Sequence, residues 1–306
     1  MATSPNLRAA LFMVLAMATF TCNDAITKSL SSQMNAGQIM FVRGVFATLF
    51  VGLLAWQQGA LRNPRRALNP LVLTRSFFEL GGTGFFLVAL GHMPLANISA
   101  VLQSLPLAVT MGAALALREP VGWRRWIAIL IGFAGVVVIV RPGVEGFSTY
   151  SVLALLSVAC CAARDLATRR IPSDIPSLMV STVTAAFVTV FGSLTVAPLG
   201  GWVPLSFGAA AALAAAGFLL IPSMVFLILA MRTGDVAFVA PFRYTALLWA
   251  ITLGILVFGE WPDGTMLAGA GIVIASGLYS LYRETILGRR RPISETAASS
   301  MAPDGT

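Results

Sequence analysis

A charged pentad inside an apolar run, Asp24-Ala25-Ile26-Thr27-Lys28, recurs as Asp165-Leu166-Ala167-Thr168-Arg169. The copies stand 141 residues apart, and the same offset carries Glu119 onto Glu260 without a gap. Apolar positions keep the register: Phe46 with Phe187, Phe50 with Phe191, Phe85 with Phe226 and Ala89 with Ala230. Chance pairs of Ala or Leu between greasy segments carry little information. Charged positions and a shared threonine in one register carry more, so the chain reads as two copies of one unit, the property to settle before any other.

The unit is a membrane one. Of 306 residues 58% are apolar and 10% charged, against about 25% charged in soluble domains. The apolar residues come in blocks of about 20, the length a bilayer core requires. The pattern predicts an all-α membrane protein with ten transmembrane helices, at approximately Leu7–Leu30, Ala36–Trp56, Leu71–Gly91, Leu95–Leu117, Trp123–Val140, Tyr150–Arg170, Pro176–Ala197, Gly208–Met231, Val236–Phe258 and Met266–Tyr282. The first block contains Asp24 and has a spanning counterpart, which argues against a cleaved signal. Cys22, Cys160 and Cys161 fall within spans, match no metal or redox spacing, and read as small apolar residues.

The net charge of +8 does not point to nucleic acid, because the basic residues sit in short loops. With the N-terminus inside, the inner face holds Arg8, Arg62, Arg65, Arg66, Arg118, Arg124, Arg125, Arg169, Arg170, Arg232, Arg283, Arg289, Arg290 and Arg291, and the outer face only Lys28 and Arg141. Under the positive-inside rule this bias predicts a multi-pass membrane protein with both termini cytoplasmic. Five spans per unit is odd, so the second copy enters from the opposite side: two inverted five-helix repeats, over residues 7–143 and 148–284, and a disordered polar tail over 285–306.

The Arg118-Glu119-Pro120 step, followed by the Gly-rich Ile131-Gly132-Phe133-Ala134-Gly135-Val136, resembles the end of a repeat in the drug/metabolite transporter superfamily, EamA type. Phe258-Gly259-Glu260 followed by Gly269-Ala270-Gly271 is the second copy. The resemblance runs from Leu7 to about Arg283, and Arg118 stands where the family's first copy usually has Gly. Asn23-Asp24-Ala25, Phe41-Val42-Arg43-Gly44, Leu102-Gln103-Ser104-Leu105-Pro106 and Pro241-Phe242-Arg243-Tyr244 are similar to a bacterial subgroup that includes riboflavin importers and S-adenosylmethionine transporters. The resemblance implies the EamA/DMT fold and uptake or exchange of a metabolite, with riboflavin leading and S-adenosylmethionine uptake or amino-acid and metabolite export as alternatives.

Ionisable groups within hydrocarbon are costly, roughly 2.5–3.5 kcal/mol each at a helix centre on insertion scales, and mark functional candidates. Here they are Asp24, Arg43, Arg75, Glu79, Arg164, Asp165 and Arg243. Arg75 and Glu79, four apart, share a helix face. They read either as a structural ion pair or with Glu79 on a cavity wall near Phe77, Phe78, Phe85 and Phe86. Asp24 and Lys28 can likewise close each other off, with Lys28 snorkelling, or leave Asp24 facing a cavity. Pro106 beside Gln103, and Pro241 beside Arg243 and Tyr244, break matched spans; packing kinks and a binding site are the two readings. Pro222 reads as a kink only. Trp249 is the candidate for stacking, while Trp123, Trp126 and Trp261 read as interface belts. His92, the single histidine, cannot build a metal cluster.

The substrate-binding candidates are therefore Asp24, Arg43, Arg75, Glu79, Gln103, Asp165, Arg243, Tyr244 and Trp249. The chain reads as a secondary transporter working by alternating access, its two halves rocking about a central site. The partners expected are a small-molecule metabolite and the lipid bilayer, with Asp24 the candidate carrier of a coupled proton and no cofactor. The sequence leaves oligomeric state open. An intramembrane enzyme would need a nucleophile with a base, a His-rich metal site or paired catalytic carboxylates at membrane depth. There is no H-E-x-x-H, the single His is peripheral, and without a phosphate-binding Gly-Lys loop ATP drive is unsupported too. A membrane scaffold or channel subunit is the alternative of another class.

Overall fold

The computed structural model describes residues 5–118, 121–141, 148–172, 174–233 and 236–283. Glu119, and with it most of the Arg118-Glu119-Pro120 step, lies outside the described residues, as does the tail from residue 284. The described helices are α1 (Pro5–Leu30), α2 (Ala36–Gln57), α3 (Pro70–Leu90), α4 (Leu95–Leu102), α5 (Leu105–Ala116), α6 (Trp123–Val140), α7 (Thr149–Arg169), α8 (Ser177–Val196), α9 (Phe207–Thr233), α10 (Val236–Val239), α11 (Thr245–Phe258) and α12 (Gly264–Tyr282). Two 3-10 segments, Pro64–Leu68 and Ala240–Tyr244, join them. Counting α4 with α5, and the second 3-10 segment with α11, ten segments are long and apolar enough to cross a bilayer. This is a multi-pass membrane protein.

Local chemistry sets the boundaries. Asn35 caps α2 by accepting from the Gln38 N–H at 2.9 Å, and Asn69 caps α3 by accepting from Leu71 N–H at 2.9 Å. Both prolines expected to break spans do so. Pro106 is the second residue of α5, after a turn at Gln103 and Ser104. Pro241 is the second residue of the Ala240–Tyr244 segment. In those positions the missing amide costs nothing. Pro222 sits inside an uninterrupted α9.

The halves interlock. α1 packs mainly on α9, α3 on α7, α2 on α8 and α6 on α12. Shifting each helix by 141 residues maps α1 with α9 onto α7 with α3, and maps the α2–α8 and α6–α12 pairs onto themselves. Side chains mark the pseudo-twofold axis: Thr48 Oγ1 meets Thr189 Oγ1 at 3.1 Å, and Gln103 Nε2 reaches the Tyr244 carbonyl at 3.5 Å, each pair 141 residues apart. Mates run in opposite directions, so the repeats are inverted. On the α6–α12 pair, a Cβ at Gly269 would stand 2.7 Å from the Gly135 carbonyl oxygen, so only glycine permits that backbone approach.

One end, hereafter the Glu260 end, holds the C-termini of α1, α3, α6 and α11. The other, the Arg66 end, holds the N-termini of α1, α3 and α6. At the Glu260 end a single buried core draws on both halves, from Ala25, Leu30 and Ile39 through Leu90, Leu95 and Ile98 to Leu213, Met266 and Val273. At the Arg66 end the buried residues fall into two separate clusters. One joins Ala9, Met13, Ala16 and Met17 of α1 to Ala230 and Val239. The other joins Val72 of α3 to Ile175, Met179 and Val180. The bundle is sealed at one end and divided at the other.

Asp263 caps α12, accepting from Met266 N–H at 2.6 Å, and pairs with Arg141 Nη2 at 2.7 Å. That N–H holds the Asp263 carboxyl below the usual carboxylate range. The stability it contributes is present above the ordinary carboxylate pKa and lost as pH falls through the lowered one. Asp263→Ala should cost about 1 kcal/mol, read as a lower melting temperature in detergent at pH 7 whose difference from wild type shrinks on acidification.

Candidate substrate site

α3 and α7 cross closely because both carry small residues at the contact. A Cβ on Gly82 would lie 2.9 Å from Cys161 Sγ, and Ser157 Oγ donates to the Gly82 carbonyl at 2.8 Å. The crossing brings Arg164 to Glu79: Nη1 stands 3.0 Å from Glu79 Oε2, while Nη2 and Nε each stand 2.8 Å from Asp165 Oδ1. One guanidinium thus holds two carboxylates. Arg164 carries the densest set of contacts in the site, and its position 141 residues after Asn23, beside Asp165, was the sequence signal for it.

The expected pair between Arg75 and Glu79 is not formed. Arg75 Nε donates to Thr168 Oγ1 at 3.0 Å and Nη1 to Thr184 Oγ1 at 2.6 Å, leaving Glu79 to Arg164. Arg164 brings Glu79 a charged partner from another helix. Lys28 likewise turns away from Asp24. Its Nζ lies 2.7 Å from Glu260 Oε1, donates to the Met93 carbonyl, and sits over the Phe258 ring.

Asp24 and Arg43 keep no direct counter-ion among the described residues. Asp24 Oδ1 accepts from Asn23 Nδ2 at 3.1 Å, and Arg43 makes no hydrogen bond with a described residue. Each acts on the other's charge, and Glu79 also acts on Arg43. Both are surrounded by protein yet retain accessible surface. Asn23 and Thr27, one turn apart and buried, leave Oδ1 and Oγ1 without partners.

The remaining candidates divide. Gln103 stands at the α4–α5 break, half-buried. Arg243 is exposed in the 3-10 segment. Tyr244 turns away from the charged groups and packs on α12, where its hydroxyl would lie 1.9 Å from a Cβ on Gly277. Trp249 is half-buried in the small core with Phe12, Phe226 and Phe242. Of the phenylalanines near Glu79, Phe77 is 62% exposed on the bundle's outer surface and Phe86 packs into the main core. Phe78, partly buried, meets Phe77 edge to face at 5.7 Å between ring centroids. His92 stacks on Tyr150 at 3.9 Å between ring centroids, on the rim.

This arrangement, charged groups between the helices of a duplicated inverted bundle, can be set beside known proteins. The sequence profile of the EamA-like transporter family matches twice, over residues 7–141 and 148–282. The chain belongs to the EamA-like transporter family. An S-adenosylmethionine uptake transporter of Rickettsia conorii is 27% identical over 277 residues, covering 89% of this chain and 92% of that one. A riboflavin transporter of Vibrio cholerae is 29% identical over 289 residues, covering 93% and 96%. The pseudopaline exporter CntI of Pseudomonas aeruginosa is 28% identical over 281 residues, covering 89% and 95%. One solved crystal structure superposes with a TM-score of 0.61 over 92% of this chain and 98% of its own, at 21% identity, a likeness of fold. As an EamA-like protein the chain is a transporter and not an enzyme.

Proposed function

We propose that this EamA-like protein is a secondary transporter that moves a small polar metabolite across a bacterial inner membrane by alternating access, both termini cytoplasmic. One observation carries the reading: a cluster of paired and unpaired charges stands between helices whose core is sealed at the Glu260 end and divided at the Arg66 end. Structural ion pairs alone would not leave Asp24 and Arg43 without direct partners at that depth, where an uncompensated charge is expensive. Asp24, Arg43, Arg75, Glu79, Gln103, Arg164 and Asp165 are the groups assigned to the site. Arg243 is assigned to its approach.

S-adenosylmethionine is the first substrate to test. It carries charged groups that this cluster can answer, and several relatives are named for its uptake. Riboflavin is the second reading, supported by the names of two relatives and by Trp249 beside the broken span. Purified protein in liposomes should take up one of the two saturably, and unlabelled substrate inside should accelerate entry of label. Equal, non-saturating uptake in empty and loaded liposomes for both, and for an amino-acid panel, would remove the transport reading. Imposing a proton gradient in the same vesicles tests coupling: Asp24→Asn should then lose gradient-driven accumulation and keep exchange at saturating substrate.

A further inference from the structure

In the cluster each ionic group except two has a direct partner. Arg164 holds Glu79 and Asp165, and Arg75 is satisfied by two threonine hydroxyls. Asp24 and Arg43 remain, within electrostatic reach of each other but not in contact. Asp24 precedes the end of α1 at Leu30 by six residues, and Arg43 follows the start of α2 at Ala36 by seven. At 1.5 Å per residue both lie about 10 Å below the Glu260 end. They occupy one level, beside the continuous core, which includes their chain neighbours Ala25 and Val42. The Arg164 group lies deeper, about 22 Å from the Glu260 end by the same rise, counted from the start of α7 at Thr149.

A guanidinium presents five N–H donors in a planar fork that suits a carboxylate, and a buried carboxylate suits an ammonium. Set apart at one level, neither in contact with an opposite charge among the described residues, the two define a receptor for opposite charges a few bonds apart. We infer that Arg43 and Asp24 form a subsite for a zwitterionic α-amino-acid head group, its carboxylate on Arg43 and its ammonium on Asp24. The inference rests on the transport reading and narrows it to a substrate class. The buried and unpartnered Asn23 Oδ1, next to Asp24, supplies a further acceptor for an ammonium N–H. A neutral ring compound would leave both charges unanswered.

The test uses purified full-length protein and four probes: S-adenosylmethionine, its decarboxylated analogue, 5′-methylthioadenosine, which lacks the head group, and riboflavin. Wild-type protein should bind S-adenosylmethionine at least tenfold more tightly than either analogue. Arg43→Gln should abolish the difference between S-adenosylmethionine and the decarboxylated form, and Asp24→Asn should weaken both. Should Arg43→Gln fail to fold, Arg43→Lys keeps the charge and loses the fork, and should narrow the difference without erasing it. Equal wild-type affinities for the first two probes, or a difference that survives Arg43→Gln, would overturn the subsite. Binding of riboflavin with no response to S-adenosylmethionine or to any α-amino acid would also overturn it while leaving transport standing. Loss of all saturable uptake would strike the transport reading instead.

Discussion

Arg164→Ala is expected to reduce the initial rate of substrate uptake to background while the protein still reaches the membrane. The guanidinium joins Glu79 on α3 to Asp165 on α7 through contacts of 2.8–3.0 Å. Its removal leaves two carboxylates near each other, with Arg75 already engaged by hydroxyls. Truncating one partner costs about 3–5 kcal/mol for a buried pair and about 0.2–1 kcal/mol for an exposed one. Arg164 and Glu79 side chains are 22% and 24% accessible, so screening places the loss between those limits. Arg164→Lys keeps the charge without the fork, and should retain part of the uptake. Wild-type rates in Arg164→Ala protein that elutes as a single folded peak would exclude Arg164 from the transport cycle.

The second large effect concerns Lys28 and Glu260. Their side chains are 10% and 24% accessible, and the pair is tied to a third element because Leu95 N–H donates to Glu260 Oε2 at 2.8 Å. α1, the loop after α3 and the end of α11 meet at this point. Glu260→Gln leaves Lys28 buried without its counter-ion, and should raise the labelling rate of single cysteines placed at Met34 and Met93, both buried at this end. The exchanged pair, Lys28→Glu with Glu260→Lys, restores attraction but not the Leu95 bond, since lysine has no acceptor. It should return labelling part of the way. Labelling unchanged in Glu260→Gln would mean that the apolar core alone holds this end shut. In the 141-residue register the counterparts of the pair are Arg169 and Glu119, again a cation and an acid.

The ten spans, the two proline breaks and the charged register were legible in the sequence because each rests on local or periodic information. Hydrophobic length fixes a span, and a proline fixes where a helix cannot continue. Partner choice was not legible. Spacing of four along one helix offered Glu79 to Arg75 and Lys28 to Asp24, yet both found partners elsewhere in the fold, Arg164 on α7 and Glu260 after α11. Which helix lies beside which is decided by small-residue contacts such as Gly82 with Cys161, and spacing along the chain does not encode it. Tyr244 was similarly ambiguous. Its place next to the Pro241 break pointed to the centre, whereas the absence of a side chain at Gly277, more than thirty residues on, opens the slot that receives the ring.

The halves were also expected to rock as separate bodies, and the packing gives that expectation a different form. Every large helix contact joins one half to the other, so any moving body must combine helices from both. The interlocking also governs birth at the ribosome. The first five spans are inserted into lipid before any of their principal neighbours has been synthesised, with Asp24, Arg43 and Glu79 lacking the surroundings that later shield them. Productive assembly therefore waits for the last segments to be made, and the two halves expressed as separate polypeptides should be cleared by proteases when alone and rescue each other when made together.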